Sequence, residues 1–398
     1  MSIRAVTDMN VAGKRLVVRA DLNVPMADGR VTDATRITRF AEGMKPLLAQ
    51  GAALVILSHF GRPKGAPDPA MSLRHLRDDL SRALGCPVKF ATLDEAPAAA
   101  AALPAGQVLL VENVRFEPGE EKDDAGLAKR FAALGDIYVN DAFSCAHRAH
   151  ASTAAIAGML PAAAGPLMME ELGALTAALE SPKRPSVAIV GGAKVSSKIA
   201  VLKNLVAKVD HVIVGGGMAN TFLFADGAPM GKSLHEADQV GTVAEIRAMA
   251  LKSGCTIHLP KDVVVAREFK AHAASQTVAA DQCPADAMIL DAGPAAVAEF
   301  RKVLEGAKTI LWNGPLGAFE MQPFDMATVA LAKTAADLTR AGLCVSVAGG
   351  GDTVAALNAA GVADQFTYVS TAGGAFLEWL EGRELPGVAA LDRADQAA

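Results

Sequence analysis

The sequence predicts an α/β protein with two domains, each built on a mainly parallel sheet flanked by helices. The chain has 398 residues, which is enough for two domains of roughly 100–200 residues each. Short apolar runs rich in β-branched residues recur along it, with helix-like stretches between them. Such runs are typical of strands buried on both faces, as in parallel sheets covered by helices.

The predicted strands fall into two sets that differ in the residues at their carboxyl ends. The first half contains RLVVRADLN, ALVILSHFGRP, VLLVENVRF and IYVNDAF; the second contains SVAIVGGAKV, HVIVGGGMA, DVVVA, TILWNGPLGAFE, CVSVAGGGDT and TYVSTAGGAF. Charged and amide side chains come after the first set, whereas glycines come after most of the second. Open α/β sheets bind ligands at the carboxyl ends of their strands, so we expect one cationic site and one glycine-rich site.

The stretch between the two sets, residues 165–186, predicts a linker helix, because its centre has helical periodicity and its end carries prolines. We therefore predict a first domain over residues 1–168, a linker over 169–185 and a second domain over 186–377. The longest uncharged run, residues 151–169, is interrupted by glycines and prolines. It indicates a buried segment and a turn rather than a membrane span.

Composition limits the classes of partner. The net charge of −5 argues against a general binder of nucleic acid or membrane surfaces. The five cysteines are scattered without a CxxC pair, which indicates reduced thiols in the cytoplasm rather than disulfides or a zinc site. The N-terminus lacks the apolar region of a secretion signal. A small anionic substrate is compatible with this charge, because a local basic pocket does not need a basic protein.

Four arginines of the first half are candidate anion ligands: Arg36, Arg62, Arg115 and Arg148. The planar guanidinium group suits phosphate and carboxylate. Each one alone is compatible with an ordinary surface charge. Arg62 and Arg115 closely follow predicted strands, however, and Arg148 lies in a His-rich loop, so together they predict a convergent pocket.

The histidines and cysteines of this half invite two other interpretations. His59, His147 and His150 suggest a metal site, but no further ligand with zinc-site spacing accompanies them. We interpret them as substrate-binding or structural residues. Cys145 and His147 are two residues apart and do not face each other on a helix, which disfavours a cysteine nucleophile.

In the second half, VAIVGGAKVSSKIAVL predicts a strand, a glycine turn and a helix that bears Lys194 and Lys198. Residues four apart share a helix face, and two ammonium groups beside a helix N-terminus predict a polyphosphate site. The alternative is a dinucleotide-type turn with two solvated lysines, although the GxGxxG spacing is absent. Glu320, at the end of LWNGPLGAFE, is a candidate acceptor for ribose hydroxyls.

The stretch VAGGGDTVAAL places Asp352 in a turn that would otherwise favour anions. Two interpretations stay open. Asp352 is either the N-cap of the following helix or a ligand of a divalent cation between the carboxylate and bound phosphates. Mg²⁺ typically takes one or two carboxylates, with phosphate oxygens and waters completing its shell.

Nine motifs together resemble the phosphoglycerate kinase family, in that family's order: RADLNVP, SHFGRP, ENVRF, DAFSCAHRAHAST, GGAKVSSKI, GGGMANTF, LWNGPLGAFE, AGGGDT and STAGGAFLEWLEG. The resemblance implies a cytoplasmic glycolytic monomer of two Rossmann-like domains, with the tail 378–398 packing back on the first. It implies reversible phosphoryl transfer from 1,3-bisphosphoglycerate to MgADP, giving 3-phosphoglycerate and MgATP, with no nucleic-acid or membrane partner.

The resemblance also implies a role for individual residues. The triose would be bound by Asp21, Asn23, Arg36, His59, Arg62, Arg115 and Arg148. The nucleotide would be bound by Lys198, Asn313, Glu320, Gly349, Gly350, Gly351, Asp352 and Thr353, with Asp352 holding Mg²⁺. Arg36 and Lys194 would close on the transferring phosphoryl group as catalytic residues.

Two departures from the family pattern are visible. Ser144 and Cys145 stand where the family usually has Gly-Thr, and Ala372 stands where it usually has glycine. A residue with a Cβ does not readily take positive φ, so Ala372 bears on the shape of that anion-binding turn.

Two rival functions predict different features. An NAD-dependent dehydrogenase predicts GxGxxG after the first strand of a domain, which the turn at Gly191 does not match. A two-domain anion-binding protein needs only one ligand site and leaves Lys194 and Lys198 unexplained.

Overall fold

The computed structural model describes residues 3–396 and forms two compact units. The first contains the residues up to Leu172 together with those from Glu384 onward, and the second is Gly173–Arg383. Residues 1–2 of the predicted first domain and 397–398 of the predicted tail lie outside the described residues.

The first unit is built on a six-stranded parallel sheet. The strands of the whole unit are β1 (Arg15–Arg19), β2 (Met26–Ala27), β3 (Arg30–Val31), β4 (Ala53–Leu57), β5 (Val88–Ala91), β6 (Val108–Val111), β7 (Ile137–Asn140) and β8 (Ala162–Ala164). The order in the sheet is β5-β6-β4-β1-β7-β8, and β2 and β3 form a separate antiparallel pair. The central strands β1 and β4 are almost wholly buried, as their continuous apolar sequences predict.

Helices cover this sheet: α1 (Thr35–Ala49), α2 (Arg77–Leu84), α3 (Ala96–Ala101), α4 (Ala125–Ala132) and α5 (Pro166–Leu175). Short 3₁₀ turns lie at Val6–Asp8, Pro69–Met71, Leu73–Leu76, Val114–Phe116, Glu120–Lys122, Phe143–Cys145 and Ala155–Gly158. In α1, the buried residues Ile37, Phe40, Met44 and Leu47 recur at helical spacing and pack in the core of the unit. The division between the units falls within α5, which continues as a π-helical turn, Thr176–Glu180.

The second unit contains a further six-stranded parallel sheet and a smaller antiparallel one. Its strands are β9 (Ser186–Gly191), β10 (His211–Gly215), β11 (Thr256–His258), β12 (Asp262–Ala266), β13 (Ser275–Ala279), β14 (Met288–Ala292), β15 (Thr309–Asn313), β16 (Val345–Gly349) and β17 (Tyr368–Ser370). The parallel order is β11-β10-β9-β15-β16-β17. The apolar run DVVVA, β12, pairs antiparallel with β13 and β14 in a three-stranded sheet of its own.

The helices of the second unit are α6 (Ile199–Lys208), α7 (Gly216–Ala225), α8 (Val240–Ser253), α9 (Pro294–Glu305), α10 (Met326–Arg340), α11 (Gly351–Ala359) and α12 (Gly374–Leu380). Short 3₁₀ turns lie at Val195–Ser197, Ala237–Gln239 and Ala363–Gln365. The predicted fold class is therefore confirmed, since each unit carries a parallel sheet flanked by helices.

The last described helix, α13 (Pro386–Gln396), belongs to the first unit. It packs against β8 and against the turns Phe143–Cys145 and Ala155–Gly158. The Gly387 N–H donates to the carbonyl of Ala146 at 2.9 Å. A side chain at Gly387 would place its Cβ 2.9 Å from the Cα of Ala146, so this approach requires glycine.

The uncharged run at residues 151–169 is divided between a 3₁₀ turn, β8 and the start of α5. None of the helices in the described part of the chain has the length and apolarity needed to cross a bilayer.

Candidate functional site

Polar residues collect at the carboxyl edge of the first sheet, where four adjacent strands, β6, β4, β1 and β7, end together. The predicted residues that lie beyond these strands are Asp21 and Asn23 after β1, His59 and Arg62 after β4, Arg115 after β6, and Arg148 after β7. Because the strands are parallel and in register, their loops emerge side by side.

Hydrogen bonds join the centre of this edge into one group. Arg36 Nη1 donates to Asp21 Oδ2 at 2.9 Å and to the carbonyl of Asn23 at 3.0 Å. Asn23 Oδ1 accepts from the Gly61 N–H at 3.1 Å, and Arg115 Nη1 donates to the Gly61 carbonyl at 3.0 Å. Arg36, Asp21, Asn23 and Arg115 therefore form a connected polar surface through the Gly61 backbone.

Arg62 and Arg148 differ from this group because both side chains are exposed. Neither side chain makes a hydrogen bond or an ion pair with another residue in the described part of the chain. Their guanidinium groups are therefore available to an anionic ligand.

His59 is buried beside a second buried cation. Arg19 Nη2 lies 3.1 Å from His59 Nδ1. A guanidinium group can only donate, so Nδ1 must accept and the proton of the neutral ring lies on Nε2. Burial, helped by the charge of Arg19, holds the pKa of His59 well below its usual range. At neutral pH, His59 therefore carries no charge and offers an Nε2–H donor.

Arg19 itself is fully buried and is compensated by an acid from a distant loop. Its Nε donates to Ser152 Oγ at 2.8 Å, and that hydroxyl donates to Glu120 Oε1 at 2.5 Å. The Ser152 N–H donates to Glu120 Oε2 at 3.0 Å. Burial raises the pKa of Glu120, while Arg19 acts in the opposite direction and favours the carboxylate.

The sequence analysis placed Arg19 only among the charged residues at strand ends, and it did not predict that Ser152 and Glu120 belong to the site. The one available signal was an arginine at the end of the apolar strand β1, where a charge is costly unless it is paired.

The lysines of the second unit lie differently from the prediction. A 3₁₀ turn, Val195–Ser197, comes after Lys194, and α6 begins only at Ile199, so the two lysines do not share a face of one α-helix. The reason is that the chain makes a tight turn before the helix starts. Lys194 is exposed, whereas Lys198 Nζ turns back to donate to the Gly191 carbonyl at 2.6 Å. Burial lowers the pKa of Lys198 to about 8, and Asp352 partly opposes that shift.

The glycine-rich loops of the second sheet approach one another backbone to backbone. Gly314 has φ +99°, and a Cβ there would lie 2.1 Å from the Gly191 carbonyl oxygen. Gly350 has φ +98°, and a Cβ there would lie 2.6 Å from Asn313 Nδ2. Both positions therefore require glycine.

Side chains tie the same loops together. Asn313 Nδ2 donates to the Gly349 carbonyl at 2.9 Å, and Thr353 Oγ1 accepts from the Gly314 N–H at 2.7 Å. Asn313 Oδ1 is buried and has no hydrogen-bond partner among the described residues. It is therefore a free acceptor at this edge.

A cavity of about 490 Å³ opens beside these loops. Its walls are mostly apolar, and Glu320 and Asp352 add exposed carboxylates to its lining. Two large apolar side chains that line it, Phe269 and Leu234, are 65% and 52% exposed. Such a cavity fits a flat apolar ring with polar substituents directed towards the acids. No pattern in the sequence had indicated this apolar wall.

The N-cap interpretation of Asp352 is wrong. Helix α11 begins at Gly351, its N-cap residue is Gly350, and no side chain caps it. The helix therefore begins two residues earlier than a cap at Asp352 would require. Asp352 is thus the second helical residue, with an exposed carboxylate.

The surroundings of Asp352 fit a cation whose other ligands come from a bound phosphate group and from water. No group of three or more His, Cys, Asp or Glu side chains in the described ranges is placed to hold a metal ion. A lone carboxylate beside a glycine-rich helix start matches Mg²⁺ bound largely by phosphate oxygens and water.

Ala372 leaves the turn after β17 intact. The residue with positive φ is Gly373, at +56°, and Ala372 is not among the non-glycine residues with positive φ. Ala372 is nearly buried, and its N–H donates to Ser370 Oγ at 3.2 Å. The departure from the family pattern therefore falls where no left-handed conformation is needed.

Comparisons with known proteins agree with one another. The family model described as phosphoglycerate kinase matches residues 6–383. The chain is 61% identical to a phosphoglycerate kinase of Ruegeria sp. (strain TM1040) over 98% of this chain and 100% of that one. It is similar to the structure of phosphoglycerate kinase from Coxiella burnetii, with a TM-score of 0.93, 43% identity and coverage of 98% and 99%. The enzyme from Pyrococcus horikoshii OT3 matches with a TM-score of 0.79 and 29% identity over both full chains.

We expect Glu120→Gln to lower the free energy of unfolding by about 3–5 kcal/mol, because it leaves the buried charge of Arg19 uncompensated. Urea denaturation measures this loss. The matched control is Glu121→Gln, since Glu121 is 56% exposed and lies 3.7 Å from Arg115. An exposed pair contributes about 0–1 kcal/mol, so equal losses in the two variants would contradict the buried pairing.

Proposed function

The chain belongs to the phosphoglycerate kinase family, and we propose how its two sites divide the work of that reaction. The enzyme is a phosphotransferase with a carboxyl group as acceptor. It catalyses reversible phosphoryl transfer from 1,3-bisphosphoglycerate to MgADP, giving 3-phosphoglycerate and MgATP in glycolysis. The observation that carries the division is chemical: a cationic strand edge lies in one unit, and a glycine-rich edge with an apolar cavity lies in the other.

We assign the triose to the first unit, residues 1–168 in the predicted domain boundaries. Arg62 and Arg148 supply uncommitted guanidinium groups for the phosphate that does not react. Arg115 adds a further guanidinium group, which is already held by the Gly61 carbonyl. Asp21 and Asn23 accept hydrogen bonds that hold Arg36 and the Gly61 loop in place. His59 contributes a neutral Nε2–H donor to the substrate.

We assign the nucleotide to the second unit, residues 186–377 in the predicted boundaries. The apolar cavity receives the base, and Glu320 accepts from ribose hydroxyls. Lys198 and the N–H groups of Gly349, Gly350 and Gly351 bind phosphate oxygens. Asn313 and Thr353 hold these loops together.

Asp352 is the residue that holds the nucleotide-bound Mg²⁺. The metal supplies positive charge to the phosphate oxygens when it is bound. Without it, an exposed carboxylate beside the phosphate site would repel the nucleotide.

The acceptor chemistry needs no general base. A carboxylate has an ordinary pKa of roughly 3.5–4 and is ionised at neutral pH, unlike an alcohol acceptor. The reaction instead needs positive charge on the transferring group and exclusion of water. Arg36 and the exposed Lys194 are our candidates for that charge, acting mainly in the transition state.

Closure is part of the proposal because the two substrates are assigned to separate units and must meet. We place the hinge in the linker, residues 169–185, where helical structure runs through α5 into a π-helical turn. One chain supplies both sets of binding residues, so a monomer is the proposed catalytic unit. We also propose a cytoplasmic location; the described cysteines are free thiols, the state that a reducing compartment maintains.

Arg148→Ala tests the triose assignment in a coupled assay of ATP consumption. We expect it to raise KM for 3-phosphoglycerate by about tenfold or more, since it removes a charge-assisted contact, and to change KM for ATP by less than about twofold. The control is Arg301→Ala, another exposed arginine without a hydrogen-bond or ion-pair partner among the described residues. Equal effects of Arg148→Ala on both KM values would overturn the assignment.

Asp352→Asn tests the metal role, and calorimetric titration with nucleotide is the measurement. The affinity for MgADP should fall by about tenfold or more, because the metal loses the carboxylate that we assign to it. The affinity for ADP in EDTA should stay equal or rise, since the repulsive charge is gone. Thermal stability should change little, because Asp352 caps no helix and asparagine removes only the charge that Asp352 places in the first turn of α11. A fully active variant with unaltered Mg²⁺ dependence would refute the role.

The pKa of Lys198 predicts how MgADP affinity changes with pH. With a pKa of about 8, Lys198 loses its charge as pH rises, so affinity should fall roughly tenfold between about pH 7 and pH 9. The phosphate groups have second pKa values of about 6, so they are already ionised in this pH range. Titrations with MgADP at several pH values should give a weaker dependence of affinity on pH for Lys198→Arg than for the wild type. Identical slopes would show that Lys198 does not bind phosphate in its charged form.

A further inference from the structure

Ser144 makes a contact that the family pattern does not provide. Its Oγ donates to Asp21 Oδ2 at 2.5 Å, the same oxygen that accepts from Arg36 Nη1 at 2.9 Å. The other oxygen, Oδ1, accepts from the Asn23 N–H at 3.1 Å. Both carboxylate oxygens of Asp21 are therefore engaged, and Ser144 is bonded directly to the partner of Arg36.

The local fold explains why the Ser144 hydroxyl reaches Asp21. Strands β1 and β7 pair in register, with Arg19 opposite Asn140, so the loops that carry Asp21 and Ser144 start side by side. In the turn after β7, Phe143 and Cys145 are buried while Ser144 between them is only half-buried. The buried neighbours fix the backbone and leave the Ser144 side chain at the surface of the site.

This contact determines how Arg36 is held. Arg36 commits Nη1 to Asp21 and to the carbonyl of Asn23, and its Nε and Nη2 donate to no other residue in the described ranges. The Arg36 side chain is 38% exposed and that of Asp21 only 13%. A fixed Asp21 therefore anchors one nitrogen and leaves the other N–H groups for a ligand.

The hydroxyl also weakens a competing interaction. The Asp21 carboxylate attracts the positive charge of Arg36, and a transferring phosphoryl group competes with Asp21 for that same charge. A charge-assisted O–H···O⁻ bond draws electron density from Asp21 Oδ2 and reduces its hold on the guanidinium group.

We propose that Ser144 is a positioning residue for phosphoryl transfer, which acts by fixing Asp21 so that Arg36 is directed at the transferring group. The inference rests on the proposed role of Arg36. Ser144 need not touch either substrate, so its loss should appear in kcat and not in substrate binding.

The test begins with Ser144→Ala, which removes the hydroxyl and leaves the turn in place. We expect kcat to fall about tenfold, the effect of losing one charge-assisted hydrogen bond, while KM for 3-phosphoglycerate changes less than about twofold. Ser144→Thr retains a hydroxyl and should restore most of kcat. The matched control is Ser72→Ala, because Ser72 is also half-buried and its Oγ donates to Glu112 Oε2 at 2.7 Å. Thermal melting checks that each variant folds.

A double-mutant cycle with Arg36→Lys distinguishes the two proposals. Lysine lacks the guanidinium fork, so Ser144→Ala should cause no further loss of kcat in that background. If Arg36→Lys lowers kcat but Ser144→Ala has no effect, or the two losses multiply, the role of Ser144 is overturned and that of Arg36 stands. If Arg36→Lys itself keeps kcat within about threefold, the role of Arg36 is wrong, and that of Ser144 with it.

Discussion

A fully buried guanidinium group is the constraint on which the first unit depends. Arg19 ends the central strand β1, where an unpaired charge would be too costly to keep. It is tolerated because Glu120, through Ser152, brings a compensating carboxylate from a loop that is distant in sequence. The same guanidinium group sets the proton of His59 on Nε2. One buried pair therefore fixes both the packing of three loops and the hydrogen-bonding character of His59.

The second unit depends on close approaches between its loops rather than on a buried charge. Its loops approach so closely that a Cβ at Gly314 or Gly350 would overlap a neighbouring loop. This proximity brings the Lys198 ammonium group and the start of α11 to one edge of the sheet. The strand edges of the two units are therefore built differently. In the first unit, carboxylates hold side-chain cations in place, and in the second, glycines let backbone segments approach closely.

The sequence predicted the strands and the polar residues at their carboxyl ends, because continuous apolar runs and strand-end positions are local patterns. It did not predict contacts that depend on loops meeting in space, such as Glu120 with Ser152 or the apolar wall with Phe269. The sequence also did not predict the local geometry at two points. A 3₁₀ turn separates Lys194 from α6, and Gly350 rather than Asp352 precedes α11. The prediction for the two lysines and the N-cap alternative for Asp352 both assumed a helix start that the sequence alone does not determine.

The first unit is also discontinuous along the chain, and that has a consequence for its synthesis. The turn that carries Ser144 rests on Gly387, whose N–H meets the carbonyl of Ala146. A chain leaves the ribosome from its N-terminus, and its domains generally fold as they emerge. Every residue of the second unit, up to Arg383, is therefore available before α13 can close on the first. The first unit is begun first but receives α13 only after the whole second unit has been synthesised, so the turn that carries Ser144 lacks its contact with Gly387 until then.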